Sequence, residues 1–305
     1  MDRGTRAGVD RHPVDLERVR HWAKKLPDVI TAQLEAARSS LDACHALAMS
    51  ARDYAGYLSV LEPASERVCW GLRLAMDAQT SVFRGVLAAL AQHVRIEIEL
   101  DGQATVVDST VDGGFVNVPD WTSAFFLASV CRERSLLDTL CQVPLDLLRR
   151  SSTRAPEYWN LLAEALQAFW NPDQDFSRKA HAAALATTPD DSAVSDHALY
   201  VGGPQTDLLW SLMKALPGSP DGQAGVERFN KSLAIALDYH QRYWCREEDD
   251  RVRDTDGYLA LPILGLASIA YDSKVPVEVE SEYMPRALVE GVCRQSSLSS
   301  AKSLA

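Results

Sequence analysis

Apolar positions recur at steps of three and four along most of the chain, the spacing of helices with one buried face. After Pro13 a short helix is predicted over residues 14–25. It ends at Leu26-Pro27, because proline disfavours the helical conformation in the residue before it. A longer helix follows to about Met49, with Ile30, Leu34, Ala37, Leu41, Cys44 and Ala48 as its stripe. The next runs from Ser65 to about Ala91. Helical pattern returns after Pro119, breaks at Pro144, and resumes over residues 156–170 and 224–245. The last of these carries Val226, Phe229, Leu233, Leu237, His240 and Trp244 on one stripe. Residues 259–271 are apolar on nearly every face, which predicts a helix buried all round.

The period changes to two at residues 94–100, where Val94, Ile96, Ile98 and Leu100 alternate with Arg95, Glu97 and Glu99. Asp101-Gly102 suits a type I′ turn, and a return strand follows, so a hairpin is predicted near 94–108. The fold class is therefore mainly α, a multi-helix bundle or solenoid-like stack with that one small hairpin. Four regions are expected: a disordered N-terminus (1–12), a helical region with the hairpin (13–120), a second helical region (121–294) and a disordered tail (295–305). The two helical regions can equally form one domain.

Composition narrows the function classes. A net charge of −11 argues against a nucleic-acid partner, which needs a basic face. The longest apolar stretch, 259–271, is too short to span a bilayer, and no leader-like segment precedes Pro13. The six cysteines lie mostly in apolar helical runs with no paired spacing, as in a reducing compartment without disulfides. A cytoplasmic protein is expected.

Motifs for phosphate, dinucleotide, zinc or acyl-transfer chemistry are absent, and no cofactor or metal is expected. Three features carry interaction chemistry. In 238–244 (DYHQRYW), His240 and Trp244 fall on the apolar stripe as core residues, while Tyr239 and Tyr243 form a second pair suited to a partner contact. In 277–283 (VEVESEY), Glu278, Glu280 and Glu282 alternate with Val277 and Val279. In an extended chain the three carboxylates would line one face about 7 Å apart and meet a basic partner. The acidic run 247–250 (EEDD) begins a solvated loop and, with Asp254 and Asp256, would enlarge that acidic surface. A catalytic pairing of His240 with Glu278 or Asp272 is a weaker alternative, because no base-and-nucleophile spacing supports it.

These segments occur in a recognisable order. FNKSLAIALDYHQRYW (229–244), an acidic stretch, then AYD (270–272) and VEVESEYMP (277–285), with CQVPLDLLR (141–149) earlier, resemble the immunity protein 49 family of bacterial polymorphic toxin systems. The resemblance covers about 130–295. It implies a helical, non-enzymatic protein that protects a cell by binding and blocking a cognate toxin. Tyr271 and Asp272 join His240 and Trp244 as motif positions of structural role. Tyr239, Tyr243, Glu278, Glu280, Glu282 and Tyr283 are the candidate partner-binding residues. The acidic balance fits a basic toxin, such as a nuclease. The alternative is a helical-repeat scaffold or adaptor without a toxin partner.

Overall fold

Burial turns nearly all of these periodicities into helix. The computed structural model describes residues 8–111, 114–153, 155–171, 175–187, 196–247 and 250–295. Among them are twelve α-helices and two two-stranded sheets, a mainly α fold. In chain order these are β1 (Gly8–Val9), α1 (Leu16–Ala37), α2 (Leu41–Leu61), α3 (Glu66–Leu90), β2 (Arg95–Leu100), β3 (Gln103–Asp108), α4 (Val118–Cys131), α5 (Arg134–Leu140) and α6 (Leu145–Arg149). Then come α7 (Glu157–Trp170), α8 (Phe176–Ala186), α9 (Gly203–Ala215), α10 (Gly222–Trp244), α11 (Leu261–Asp272), β4 (Glu280–Ser281) and α12 (Arg286–Val289).

The chain divides into two compact units that it enters twice each. One comprises Met1–Asp15 and Glu157–Glu290, the other Leu16–Pro156 and Gly291–Ala305. This differs from a linear division near residue 120. Local sequence cannot show it, because each unit is completed by a segment from the far end of the chain.

In the unit built on α1–α6, α1 runs through Pro27 instead of stopping before it. Its buried stripe Val19, Ala23, Leu26, Ile30, Leu34 and Ala37 keeps helical phase across the proline, so packing outweighs the lost hydrogen bond. The break comes at Ser40, whose hydroxyl caps α2 by accepting from the Asp42 N–H at 3.3 Å. Gly71 lets α3 lie close on α2, since a Cβ there would sit 2.9 Å from the Ala51 carbonyl oxygen. The hairpin forms at the predicted place, with Arg95 paired to Asp108 and Leu100 to Gln103. Asp101 and Gly102 take φ of 52° and 72°, as a type I′ turn requires. Ile98, Leu100 and Val107 are buried, and the Trp70 indole N–H holds the turn at Asp101 Oδ1, 2.8 Å away. Val94 precedes the strand and stays 80% exposed. Trp121 is fully buried and donates its indole N–H to the Leu140 carbonyl at 2.9 Å.

This unit also corrects the cysteine reading. Cys69 of α3 and Cys293 form a disulfide across 224 residues of sequence, with a Cα–Cα separation of 4.9 Å. Spacing along the chain carries no sign of so distant a pair. Cys44, Cys131 and Cys141 are buried free thiols, and burial pushes each up to about 12.

In the other unit α9 and α10 pack side by side, with Gly225 placed where any side chain would meet the Lys214 carbonyl. As expected for a sequence apolar on all sides, α11 is buried through most of its length, from Leu261 to Ala270. Residues 8–12, expected to be disordered, belong to this unit. Strand β1 pairs in parallel with β4 (Gly8 with Glu280, Val9 with Ser281). The expected disordered tail lies outside the described residues except for Gln295, which closes a 3-10 turn.

Candidate partner-binding site

Residues 275–281 follow α11 and a turn at Lys274 as an extended segment, with Glu282 in the turn after it. Val275, Val277 and Val279 are buried, while Glu278, Glu280 and Glu282 are exposed. The alternation is fixed from both sides. Asn230 of α10 donates to the Pro276 carbonyl (2.9 Å) and accepts from the Glu278 N–H (2.8 Å). The Arg286 guanidinium donates to the Val277 carbonyl at 2.7 Å. A buried side chain on each valine and a clamped backbone on either side leave the intervening glutamates pointing to solvent.

Glu282 differs from its two neighbours. Its carboxylate accepts the Arg11 backbone N–H at 3.0 Å, and its own carbonyl accepts from the Arg11 side chain at 2.5 Å. It is therefore part of the clasp that holds the N-terminal strand, together with the Ser281 hydroxyl donating to the Val9 carbonyl (2.7 Å). Gln241 of α10 donates to the Asp10 carbonyl at 2.7 Å and fixes the other side of that strand.

The structure corrects the placement of Tyr283. It is fully buried and belongs to an internal network, out of reach of a partner. Its hydroxyl accepts the His12 backbone N–H and lies 2.8 Å from His12 Nδ1. Burial lowers His12 to about 4 and holds it neutral. His240 meets the Tyr283 ring edge-on at 4.8 Å and lies 3.2 Å through Nε2 from the Gly257 carbonyl. Desolvation lowers it to about 3, so it is a neutral donor to that carbonyl. Arg11 and the neighbouring imidazoles of His12 and His197 further disfavour its protonation, and its hydrogen bond goes to Gly257 and not to Glu278 or Asp272.

Tyr239 and Tyr243 are half-buried on the exposed side of α10, each under an arginine. Arg242 lies over Tyr239 at 5.6 Å and Arg251 over Tyr243 at 4.3 Å, while Arg246 covers Tyr200 at 5.1 Å. Asp196 bridges Arg246 and Arg251. The stretch after α10, expected as a charged loop that enlarges the acidic surface, pairs its carboxylates with its own cations, including Arg253 with Asp250 at 2.8 Å; residues 248–249 lie outside the described ones. Trp244 is half-buried against Tyr243 and His240, not fully in the core. Tyr271 sits under Arg286 at 6.0 Å, and Asp272 is exposed at the end of α11.

His197, which no motif singled out, receives the Tyr158 hydroxyl at 2.6 Å and stacks on Trp159. Burial, and to a smaller extent Arg251, lower it to about 4 against the opposing pull of Asp256. His12 and Arg11 carry no motif either; their partners lie 271 residues away, and no local pattern encodes that distance.

The molecule is a mainly α protein that buries His12 and His240 as neutral imidazoles and exposes carboxylates beside half-buried, arginine-covered tyrosines. Among the described residues no group of histidine, cysteine and acidic side chains could hold a metal ion, and no helix is long and apolar enough to cross a membrane. The family model of Immunity protein 49 matches residues 35–288, and the chain belongs to that family. The match extends well upstream of the C-terminal segments that resemble the family by motif. No curated protein and no solved structure matches the chain.

Proposed function

We propose that the protein neutralises a cognate bacterial toxin by binding and occluding it, without catalysis, in the cytoplasm of the cell it protects. Membership of the immunity protein family supports the toxin-neutralising role. The observation that carries the docking site is the segment 275–281, clamped at Pro276, Val277 and Glu278, which presents Glu278 and Glu280 to solvent. Fixed carboxylates attract a basic partner and speed encounter without paying loop-ordering entropy on binding. A toxin with a basic face, such as a nuclease, fits this surface. Tyr239 and Tyr243, with their covering arginines, offer the residue types that dominate binding energy at protein interfaces.

Co-expression with the toxin encoded by the neighbouring gene tests the role, with restored growth as the expected outcome. The docking site is tested by E278K/E280K, which leaves the Arg11–Glu282 clasp intact. Association measured by stopped flow at low salt is expected to slow about tenfold or more, with less effect at high salt. An unchanged association rate in a folded variant removes this face as the docking site.

A further inference from the structure

Four elements of the α7–α12 unit enclose a pocket. A π-helical turn, Ala198–Gly202, supplies Tyr200 and Val201; α9 supplies Pro204 and Gln205; α10 supplies Ala236 and His240; α11 supplies Pro262 and Ile263. Such π-turns are uncommon and recur at functional sites, because the extra residue re-aims neighbouring side chains. The walls are mostly apolar, and Gln205 and His240 are the polar groups in them.

Gln205 is 2% exposed, and its side-chain Nε2 has no hydrogen-bond partner. A buried amide donor left unpaired destabilises the free protein, so its presence calls for a use. His240 supplies the complementary group. Its Nε2–H is engaged by the Gly257 carbonyl, which leaves Nδ1 with a lone pair. A group that both accepts and donates can satisfy the two together.

The closed part of the space holds about one water-sized group, far short of a small-molecule site. It suits a terminal hydroxyl. A carboxylate or ammonium would be desolvated among Val201, Pro204, Ala236 and Ile263 without a counter-charge, which disfavours a charged occupant. The rim has the character of a protein contact. Tyr200 packs on Tyr239 at 5.6 Å, and Leu199 and Ile235, adjoining the lining residues Tyr200 and Ala236, are 36% and 42% exposed.

We infer that this pocket is an anchor site on the immunity protein that takes the terminal hydroxyl of one side chain of the toxin, held between Gln205 and His240. It rests on the reading of the chain as a toxin-binding protein. It explains why a donor that weakens the free fold is kept: the partner completes it.

The test uses the full chain and a catalytically inactive form of the toxin encoded beside it. Q205L fills the same space and removes the donor. The variant is expected to melt at the same or a higher temperature than the wild type and to bind the toxin about tenfold or more weakly. A folded variant with an unchanged Kd overturns the anchor and leaves toxin binding standing. A lower melting temperature with unchanged Kd assigns the pocket to a structural water, with the same consequence. Wild-type protein that binds no toxin overturns both readings. Should Q205L not fold, the side-chain amide resonances of Gln205 in the wild type decide the matter. They are expected to shift on toxin addition, and resonances that stay in place overturn the anchor.

Discussion

The two units bury different residue types, one histidine and the other cysteine, although His181 of the α7–α12 unit is exposed. In the α7–α12 unit, His12, His197 and His240 are packed among tyrosines and held neutral by burial, lowered to about 4, 4 and 3. In the α1–α6 unit His21 and His93 are exposed, and His45 is half-buried on Phe115 with Nδ1 3.4 Å from Asp120. That unit instead contains the Cys69–Cys293 disulfide and three buried thiols, while Cys245 of the other unit is exposed. One unit should therefore fail in acid and the other on reduction.

Acid is expected to have the largest effect. The three histidines are neutral when folded and free to take up protons near pH 6.5 when unfolded. Their contribution is complete above pH 6.5 and is lost as pH falls through about 4. The slope is at most about 4 kcal/mol per pH unit if all three titrate together. Hydrogen exchange followed from pH 7 to 4.5 should show α10 and α11 losing protection before α2 and α3. Simultaneous loss would break the comparison.

Removing the disulfide comes next. C69A/C293A is expected to cost about 2–4 kcal/mol, seen as a lower denaturant midpoint, with loss of protection centred on α3. The Arg73 guanidinium, 2.6 Å from the Cys293 carbonyl, should keep only part of the C-terminal segment in place. If thiol-specific alkylation of the native protein labels Cys69 and Cys293 as readily as Cys245, the staple is absent in solution.

Smaller effects sharpen the acid-sensitive side. Y283F leaves the buried His12 N–H without its acceptor and is expected to cost about 1–3 kcal/mol, read by thermal melt. A near-neutral result would mean that water replaces the hydroxyl. Trp244→Ala should cost about 2 kcal/mol, less than the roughly 3–5 of a fully buried ring, because Trp244 is half-exposed.

Much of the local architecture was legible in the chain. The stripe Phe229, Leu233, Leu237 and His240 is buried on α10, and the Asp101-Gly102 turn closes the hairpin where alternation placed it. Glu278 and Glu280 face solvent because Val277 and Val279 face inward, a consequence of the two-residue period alone. Pro27 misled because a local rule was outweighed by a buried face running on both sides of it. Tyr283, a candidate partner-binding residue in the sequence, is buried because His12, 271 residues away, meets its hydroxyl.

What the sequence by itself determined is secondary structure, the exposed carboxylates and the family, since each rests on residues close together or in fixed order. Only the tertiary structure decided which distant segments meet. It seats residues 8–12 against 280–283, joins Cys69 to Cys293, and gathers Gln205 and His240 around one pocket. Such contacts follow from which buried surfaces fit together once the helices form, and neither periodicity nor spacing along the chain records that fit.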